Sequence, residues 1–351
     1  MNKLGWFFSC VVLVLLASGG FLWHSLQQFT AAKINVDNAY LLNVEQGESV
    51  RQVVNKLPIE AGVNTLGFRV WLKLNPEKAQ IKKGLYDISP HASVTDIIDL
   101  LIAGKVKQFS VTLIEGHTFK QWLTHLSSID TLTQDLPNDD ALYAYFVNNE
   151  NSICANEYQH LEGCFLPDTY FYTYKASASS ILQRAFDALE HALEKAWQQR
   201  FLDLPINSPY EALILASIIE KETAIDSERS KIAGVFVNRL ESNMRLQTDP
   251  TVIYGVGDAY NGDITRKHLR TPTPYNTYVI KGLPITPIAM ASMKSIIAAV
   301  NPAITDAFYF VATGDGGHRF SVTLQAHNQA VREYLMKQKQ KQKQQQNEGT
   351  P

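Results

Sequence analysis

Two carboxyl groups follow directly on an apolar run, at Glu220 and Glu222. The run, 212–219, has the sequence ALILASII and no charged residue. A carboxyl at the inner end of a buried helix would be partly desolvated, as general acid catalysis often requires. Ala216 and Ser217, one turn before Glu220, are small enough to leave room for a ligand. Structural carboxylates also end helices, so spacing alone leaves open which carboxyl, if either, is catalytic.

The segment before these carboxyls predicts the helix that positions them. Ser208 suits a helix cap, Pro209 suits the first helical position, and Glu211 is placed to close a capping box. Apolar residues then occupy every side of the helix from 212 to 219. A surface helix would show a polar face, so this helix is expected to lie inside a core.

The N-terminus differs in kind from the rest of the chain. Residues 4–23 are apolar and uncharged, follow Lys3, and are close to the length that crosses a bilayer. A retained anchor and a cleaved signal peptide both fit this pattern. The apolar residues Phe21–Trp23 continue past the small residues Ala17–Gly20, which favours a retained anchor. We expect a cytoplasmic end at 1–3, a transmembrane helix at 4–23, and the remaining chain outside the cytoplasm.

Composition excludes several classes of function. The chain has 351 residues, 45% of them hydrophobic, and a formal net charge of −2. A chain of this length is expected to form two or three globular domains. Basic and acidic residues are mixed along it, so the sequence indicates no basic surface that would bind nucleic acid. Phosphate-loop and zinc motifs are absent from the sequence, so no metal and no cofactor are predicted.

Cys154 and Cys164 stand ten positions apart. Outside the cytoplasm such a pair can form a disulfide. Two buried free thiols are an equal alternative, because spacing does not show whether the side chains meet.

The organisation after the anchor predicts an α+β protein. A strand, a turn and a capped helix recur three times, and the three strands are expected at Ala39–Val44, Gly84–Ile88 and Phe109–Ile114. The corresponding caps are Ser49, Ser93 and Thr118.

The boundaries of the predicted parts follow from these elements. Residues 24–37 are a connector, and 38–107 form a small βα module. Residues 108–335 form a mixed, mainly helical domain with short strands. Residues 336–351 are rich in Lys and Gln and are expected to be a disordered tail.

Three polar and aromatic segments in the second half suit carbohydrate recognition: Leu246–Tyr254, Thr273–Tyr278 and Gly282–Pro287. Tyrosine faces stack on pyranose rings, while Asn, Gln and Thr supply hydrogen bonds. Each segment alone is more typical of a turn.

Together these segments resemble the membrane-bound endolytic murein transglycosylase family, the MltG or YceG-like proteins. The matching motifs are Leu161–Gly163, Phe165–Tyr170, Ala216–Thr223, Arg245–Tyr254, Tyr275–Tyr278, Gly282–Pro284 and Gly316–His318. The resemblance covers nearly the whole chain. It implies that 38–107 is a LysM-like module and that 108–335 is the catalytic domain.

The resemblance also implies an activity and a set of residues. Family members cut the β-1,4 bond between N-acetylmuramic acid and N-acetylglucosamine inside peptidoglycan strands, leaving 1,6-anhydro ends. Glu220 is then the catalytic acid. The substrate-binding residues are expected to be Gln247, Thr248, Tyr254, Tyr275, Asn276 and His318. The implied location is the inner membrane, with the catalytic domain in the periplasm, where it would terminate nascent strands beside penicillin-binding proteins.

One carboxyl group suffices for this chemistry, because it first donates a proton and then accepts one. A hydrolytic muramidase would need a second carboxylate. Glu162, Asp168, Glu222 and Asp249 are the residues that could supply it, with Asp249 more typical of a helix cap and Asp168 of a turn. A membrane-tethered glycan-binding scaffold is the third alternative.

Overall fold

A computed structural model describes residues 3–59 and 63–348. The chain forms two compact units. The N-terminal unit comprises Met1–Ser110 and Phe171–Ala176, and the C-terminal unit comprises Val111–Tyr170 and Ser177–Pro351. Residues 1–2 of the predicted cytoplasmic end and 349–351 of the predicted tail lie outside the described residues. The predicted α+β class, mainly helical with short strands, is confirmed.

The first helix, α1 (Lys3–Ala31), contains the apolar segment predicted at 4–23 and continues to Ala31. Its stretch Gly5–Ala31 is long and apolar enough to cross a bilayer. Near its end, Phe29 is fully buried and packs against the rings of Phe68 and Trp71. These features are consistent with a membrane anchor whose C-terminal end joins the core of the N-terminal unit.

The N-terminal unit is built on one strand pair and three helices. Strand β1 (Tyr40–Val44) pairs antiparallel with β2 (Gly84–Ile88). The helices are α2 (Val50–Asn55), α3 (Thr65–Leu74) and α4 (Val94–Ala103), with a short 3-10 helix at Pro76–Ala79. Its assignment as a LysM-like module stays a prediction.

The C-terminal unit contains most of the helices. These are α5 (Phe119–Ser127), α6 (Asp139–Phe146), α7 (Ala178–Gln198), α8 (Pro209–Glu222), α9 (Asp226–Glu241), α10 (Asp249–Val256), α11 (Arg266–Arg270), α12 (Met293–Val300) and α13 (Leu324–Glu348), with a second 3-10 helix at Gly257–Ala259. Strand β3 (Gln108–Leu113) pairs with β4 (Asp168–Thr173), and each has residues in both units. Strand β5 (Tyr309–Ala312) pairs antiparallel with β6 (His318–Ser321).

Capping residues set several helix boundaries as predicted. Ser49 and Thr118 form complete capping boxes at α2 and α5, and the Ser93 hydroxyl accepts a hydrogen bond from a backbone N–H of α4. At α8 the Ser208 hydroxyl accepts a hydrogen bond from the Glu211 N–H. The Glu211 carboxylate, however, accepts from the N–H of Asn207 at 2.6 Å, one residue earlier than a capping box requires.

Helix α8 is the buried helix that its apolar sequence predicts. Every residue from Ala212 to Glu220 is buried, and α7, α9 and α12 pack around it. Because the apolar run occupies all sides of the helix, it is enclosed by neighbouring helices. The two carboxyls of interest therefore lie where a central helix emerges from the core.

The C-terminal tail differs from its prediction. Residues 336–348 continue α13 instead of forming a disordered tail. Lys and Gln are good helix formers, so the helix can continue without an apolar face. The ammonium groups of Lys337 and Lys341 also pair with Asp315, which lies in the turn between β5 and β6. Composition alone predicted a solvated tail and missed this attachment.

Candidate active site

The carboxyls of Glu220 and Glu222 have different surroundings. Residues two positions apart on an α-helix are separated by about 200° around its axis. The side chains of Glu220 and Glu222 therefore leave α8 on nearly opposite sides. The Glu220 side chain is only 4% exposed, and Glu222 is a partly exposed residue whose carboxyl is nevertheless desolvated. The two carboxyls therefore differ mainly in the groups that they contact.

Glu220 is held by an arginine and a serine. Its Oε1 lies 3.1 Å from Nη1 of Arg229 on α9. Its Oε2 accepts hydrogen bonds from the N–H and the hydroxyl of Ser292, at 2.9 and 2.5 Å. The Arg229 guanidinium also donates to the hydroxyl of Ser295, at 2.7 Å. The cluster ties α8 to α9 and to the start of α12, and it occupies both Glu220 oxygens.

Glu222 has no such ion pair among the described residues. Its Oε1 accepts a hydrogen bond from the hydroxyl of Thr248, the residue before α10. Burial raises the pKa of Glu222 above its ordinary value, and the nearby charge of Asp249 acts in the same direction. The Thr248 hydroxyl, His318 and Arg239 act in the opposite direction and only partly offset these effects. A carboxyl in this setting favours its protonated form.

A cavity of about 1510 Å³ lies in the C-terminal unit. Its walls come from α5, α10 and the loops before β4 and α12, and they combine aromatic rings with polar groups. The aromatic and charged residues of the wall include Phe119, Trp122, Glu162, Lys221, Tyr254 and Tyr275. The volume exceeds that of a typical small-molecule pocket and suits an extended ligand.

Glu162 is a buried carboxyl in the wall of this cavity, with 3% of the residue exposed. Its Oε1 accepts from the N–H of Phe119, at 2.9 Å, and its Oε2 accepts from the hydroxyl of Tyr254, at 3.1 Å. Burial raises the pKa of Glu162 to about 7, although these two hydrogen bonds, a third from the Gly163 N–H and the charge of Lys221 oppose the rise. From sequence, Glu162 was only one of four possible second carboxylates, because its burial has no local signal.

Two of the six predicted sugar-binding residues line the cavity. The rings of Tyr254 and Tyr275 meet edge to face, with centroids 4.9 Å apart and an interplanar angle of 66°. The Tyr275 hydroxyl hydrogen-bonds to Thr286, at 2.9 Å. Burial raises the pKa of both phenols above the ordinary tyrosine value, so both remain neutral at physiological pH.

Thr248 and Asn276 are buried, do not line the cavity, and have protein hydrogen-bond partners. The Thr248 N–H donates to the Thr277 hydroxyl at 3.1 Å, and the Thr248 hydroxyl donates to Glu222. The Asn276 amide donates to the carbonyls of His268 and Thr271. Asn276 therefore holds the loop after α11, while Thr248 contacts a candidate acid.

Gln247 and His318 also lie outside the cavity wall. Gln247 is exposed, with φ of 50°, and its N–H donates to the Thr277 carbonyl at 3.2 Å. His318 begins β6, and its Nδ1 lies 2.7 Å from a carboxylate oxygen of Glu228 on α9. Their roles in binding stay predictions.

The remaining candidate carboxylates are Asp168 and Asp249. Asp168 is exposed and is the first residue of β4, where a turn was predicted. Asp249 is the first residue of α10, and Thr248 is the residue at the cap position. The Asp249 carboxylate accepts a hydrogen bond from the Tyr278 hydroxyl at 2.7 Å. Among the described residues, no group of three or more His, Cys, Asp or Glu is arranged to hold a metal ion.

Cys154 and Cys164 form a disulfide, which decides between the two alternatives left open by the sequence. Both residues are fully buried, and their Cα atoms are 5.9 Å apart. On the Cys154 side, Glu190 of α7 accepts hydrogen bonds from the N–H groups of Ile153 and Cys154, both at 3.2 Å. The disulfide thus fixes the segment that carries Glu162.

Comparison with known proteins places the chain in a family. The model of the YceG-like family matches residues 42–333. The chain belongs to the YceG-like family. A Bacillus subtilis protein named endolytic murein transglycosylase is 28% identical over 306 residues, which cover 84% of each chain. A Streptococcus pneumoniae protein of the same name is 24% identical over 371 residues, covering 93% of this chain and 64% of the relative.

A solved structure supports the same relationship. The crystal structure of a YceG-like protein from Listeria monocytogenes superposes with a TM-score of 0.54 at 27% sequence identity. The match covers 84% of this chain and 99% of the Listeria chain. The family resemblance carried by the sequence motifs is therefore confirmed.

Proposed function

We propose that this YceG-like chain is a membrane-anchored lytic transglycosylase of peptidoglycan. It cleaves the β-1,4 bond between N-acetylmuramic acid and N-acetylglucosamine within a glycan strand. The observation that carries the proposal is a desolvated carboxyl with a raised pKa at the end of a buried helix, in a chain whose curated relatives are named endolytic murein transglycosylases. The cavity with its tyrosine wall supplies a surface on which sugar rings can stack.

The reaction needs one group that donates and then accepts a proton. The protonated carboxyl donates to the glycosidic oxygen as the bond from the muramic anomeric carbon to that oxygen breaks. The resulting carboxylate accepts the proton of the C6 hydroxyl as O6 bonds to the same anomeric carbon. No water is consumed, and the carboxyl ends in its starting state.

The contacts favour Glu222 over Glu220 as this group. A general acid must approach the glycosidic oxygen to hydrogen-bond distance. Glu220 is closed to solvent, and Arg229 and Ser292 occupy its two oxygens. Glu222 is a partly exposed residue with no ion pair among the described residues, burial raises the pKa of its carboxyl above the ordinary value, and Thr248 can orient it. Catalysis by Glu220 stays a prediction from the family motif.

Helix α10 links the proposed acid to the proposed sugar-binding wall. Thr248, which contacts Glu222, precedes the helix, and Tyr254 lies on it. Six residues of α-helix span about 9 Å, and neither Glu222 nor Glu220 lines the cavity, so the proposal requires the glycan strand to extend from the wall along α10 towards Glu222. We further propose that the chain crosses the inner membrane once and that its catalytic domain lies in the periplasm. There it would terminate nascent glycan strands close to penicillin-binding proteins.

Mass analysis of muropeptides released from purified sacculi tests this function. The full chain is expected to leave anhydro ends, each lighter by one water than a hydrolysed end. Glu222→Gln is expected to release none while remaining folded. Asp168→Asn, which removes an exposed carboxylate, is the matched control and should retain activity. Predominant reducing ends would identify a hydrolytic muramidase instead, and a wild-type chain that binds glycan without cleaving it would be a scaffold.

A further inference from the structure

Glu162 is a buried carboxyl that the proposed reaction does not use. Across the described part of the chain it takes part in no ion pair, although it is only 3% exposed. Its two oxygens accept hydrogen bonds from the Phe119 N–H and the Tyr254 hydroxyl, and the Gly163 N–H also donates to the carboxyl. Burying a carboxylate without a cation is costly, so a protein that retains one has a use for it or a strong constraint on its position.

The segment around Glu162 fixes its position tightly. Gly163 has φ of 81°, and a Cβ atom there would lie 2.5 Å from Cβ of Pro287. The next residue, Cys164, is joined to Cys154. Phe165 then stacks on Phe119 with centroids 4.9 Å apart and rings 3° from parallel. A tight glycine turn, a disulfide and a ring stack thus hold the carboxyl in place within three residues.

The tyrosines beyond Glu162 form one continuous wall. Tyr254 hydrogen-bonds to Glu162 at one end and meets Tyr275 edge to face. Tyr275 in turn hydrogen-bonds to Thr286, whose hydroxyl donates to the Pro287 carbonyl at 3.0 Å. Because Thr286 uses its own proton in that bond, the Tyr275 hydroxyl is the donor to Thr286. Both ends of the wall are therefore anchored by hydrogen bonds.

We infer that Glu162 is a positioning residue whose carboxylate holds the Tyr254 hydroxyl and thereby fixes the Tyr254–Tyr275 pair as a rigid wall for a pyranose ring. This inference rests on the proposed function, because that function identifies the ligand as glycan. A sugar stacks on the tyrosine wall, and the Glu162 carboxyl acts through Tyr254 without taking part in the chemistry.

The fixed wall depends on the charge of Glu162. When the carboxyl is protonated, the Tyr254 hydroxyl loses its charged acceptor, and charged acceptors make the stronger hydrogen bonds. Since the pKa of Glu162 is about 7, glycan binding should weaken as pH falls through neutrality. Lys221 on α8 and Tyr254 on α10 act directly on the Glu162 carboxyl. Tyr210 on α8, Tyr275 in the loop after α11 and His160 on its own segment also lie near it. The other titratable residues that line the cavity are His117, Lys120, His125, Tyr143, Asp258 and Tyr260.

Kinetics on purified sacculi test the inference with three variants of the full chain. Tyr254→Phe keeps the ring and removes the hydroxyl, Glu162→Gln removes the charge, and the third variant combines both. We expect each single variant to raise KM about tenfold, the loss associated with a hydrogen bond to a charged group, and to change kcat little. The double variant should be no worse than either single one, because both remove the same interaction.

The pH profile separates positioning from a merely structural role. Between about pH 5.5 and pH 8.5, KM of the wild type should rise on the acid side of pH 7, and KM of Glu162→Gln should not. Glu162→Asp, which keeps the charge, should restore part of the pH dependence. Additive effects in the double variant, or an unchanged KM in both single variants, would overturn the inference.

A measurement without substrate keeps this test independent of the proposed function. In a chain with carbon-13-labelled tyrosine, the ring signal of Tyr254, assigned with Tyr254→Phe, should move with a midpoint near the Glu162 value of about 7. A signal that does not titrate would overturn the inference whatever the kinetics give. Absence of cleavage with a titrating signal would refute the proposed function and leave the positioning role intact.

Discussion

Replacing Glu162 with glutamine should change how stability depends on pH. The pKa of this carboxyl rises from an ordinary value of 4.5 to about 7 in the folded chain, mainly because of burial. Each unit of difference corresponds to about 1.36 kcal/mol, so the total effect is about 3 kcal/mol. Only 3% of Glu162 is exposed, so solvent screening removes little of this effect.

The direction in which stability changes with pH depends on whether the folded or the unfolded chain binds the Glu162 proton more tightly. The folded chain has the higher pKa at Glu162, so proton binding stabilises it relative to the unfolded chain. That contribution is complete below about pH 4.5 and disappears as pH rises to about 7. Glutamine does not titrate. The stability of Glu162→Gln relative to wild type should therefore increase by about 3 kcal/mol from acid to mildly alkaline pH.

Urea unfolding of the full chain in non-ionic detergent, followed by tryptophan fluorescence at a series of pH values, measures this difference. Trp122 is fully buried in the wall of the same cavity and reports on this region. Asp168→Asn removes an exposed carboxylate of the same unit and should show a much smaller pH dependence. A difference between Glu162→Gln and wild type that stays constant with pH, or that changes in the opposite direction, would refute the burial argument.

Two further substitutions and the reduction of one disulfide test the contacts around the candidate site by thermal or urea unfolding. Gly163→Ala should lower the free energy of unfolding by about 3 kcal/mol, because alanine disfavours the positive φ at this position and its Cβ would clash with Pro287. A change within experimental error would contradict this turn geometry. Reducing the Cys154–Cys164 disulfide should cost about 3 kcal/mol for its short loop, and reductant should leave the double serine variant unaffected. Glu220→Gln should cost about 1.5 to 3 kcal/mol, because it removes the buried carboxylate from Arg229 and leaves that guanidinium with its more exposed partner, Asp226; wild-type stability would show that the ion pair is not structural.

Local signals in the sequence predicted much of the fold. Ser49, Thr118 and Ser208 occupy the cap positions of their helices because a cap needs only a hydroxyl near the first N–H groups of the helix. The apolar run of α8 correctly predicted a buried helix. The sequence did not predict that α13 continues past residue 335, because the attachment of Lys337 to Asp315 joins residues 22 positions apart.

The site was less predictable, because long-range contacts determine the role of each carboxyl. Glu220 and Glu222 share one motif, and their sequence does not show that Arg229 and Ser292 surround only the first. Asn276 was expected to bind sugar from its motif, yet its buried amide is used to hold a loop. Motifs thus indicated the candidate residues, whereas the fold distinguishes polar groups that line the cavity from those that stabilise the chain.

Digestion of sacculi in water labelled with oxygen-18 tests the central claim most directly. In the proposed reaction the muramic O6 attacks the anomeric carbon, so mass spectrometry should find no solvent oxygen in the newly formed ends. The wild-type chain should give unlabelled anhydro ends, and Glu222→Gln should give none. One labelled oxygen at each new muramic end would show that water is the nucleophile, and it would contradict the proposed mechanism.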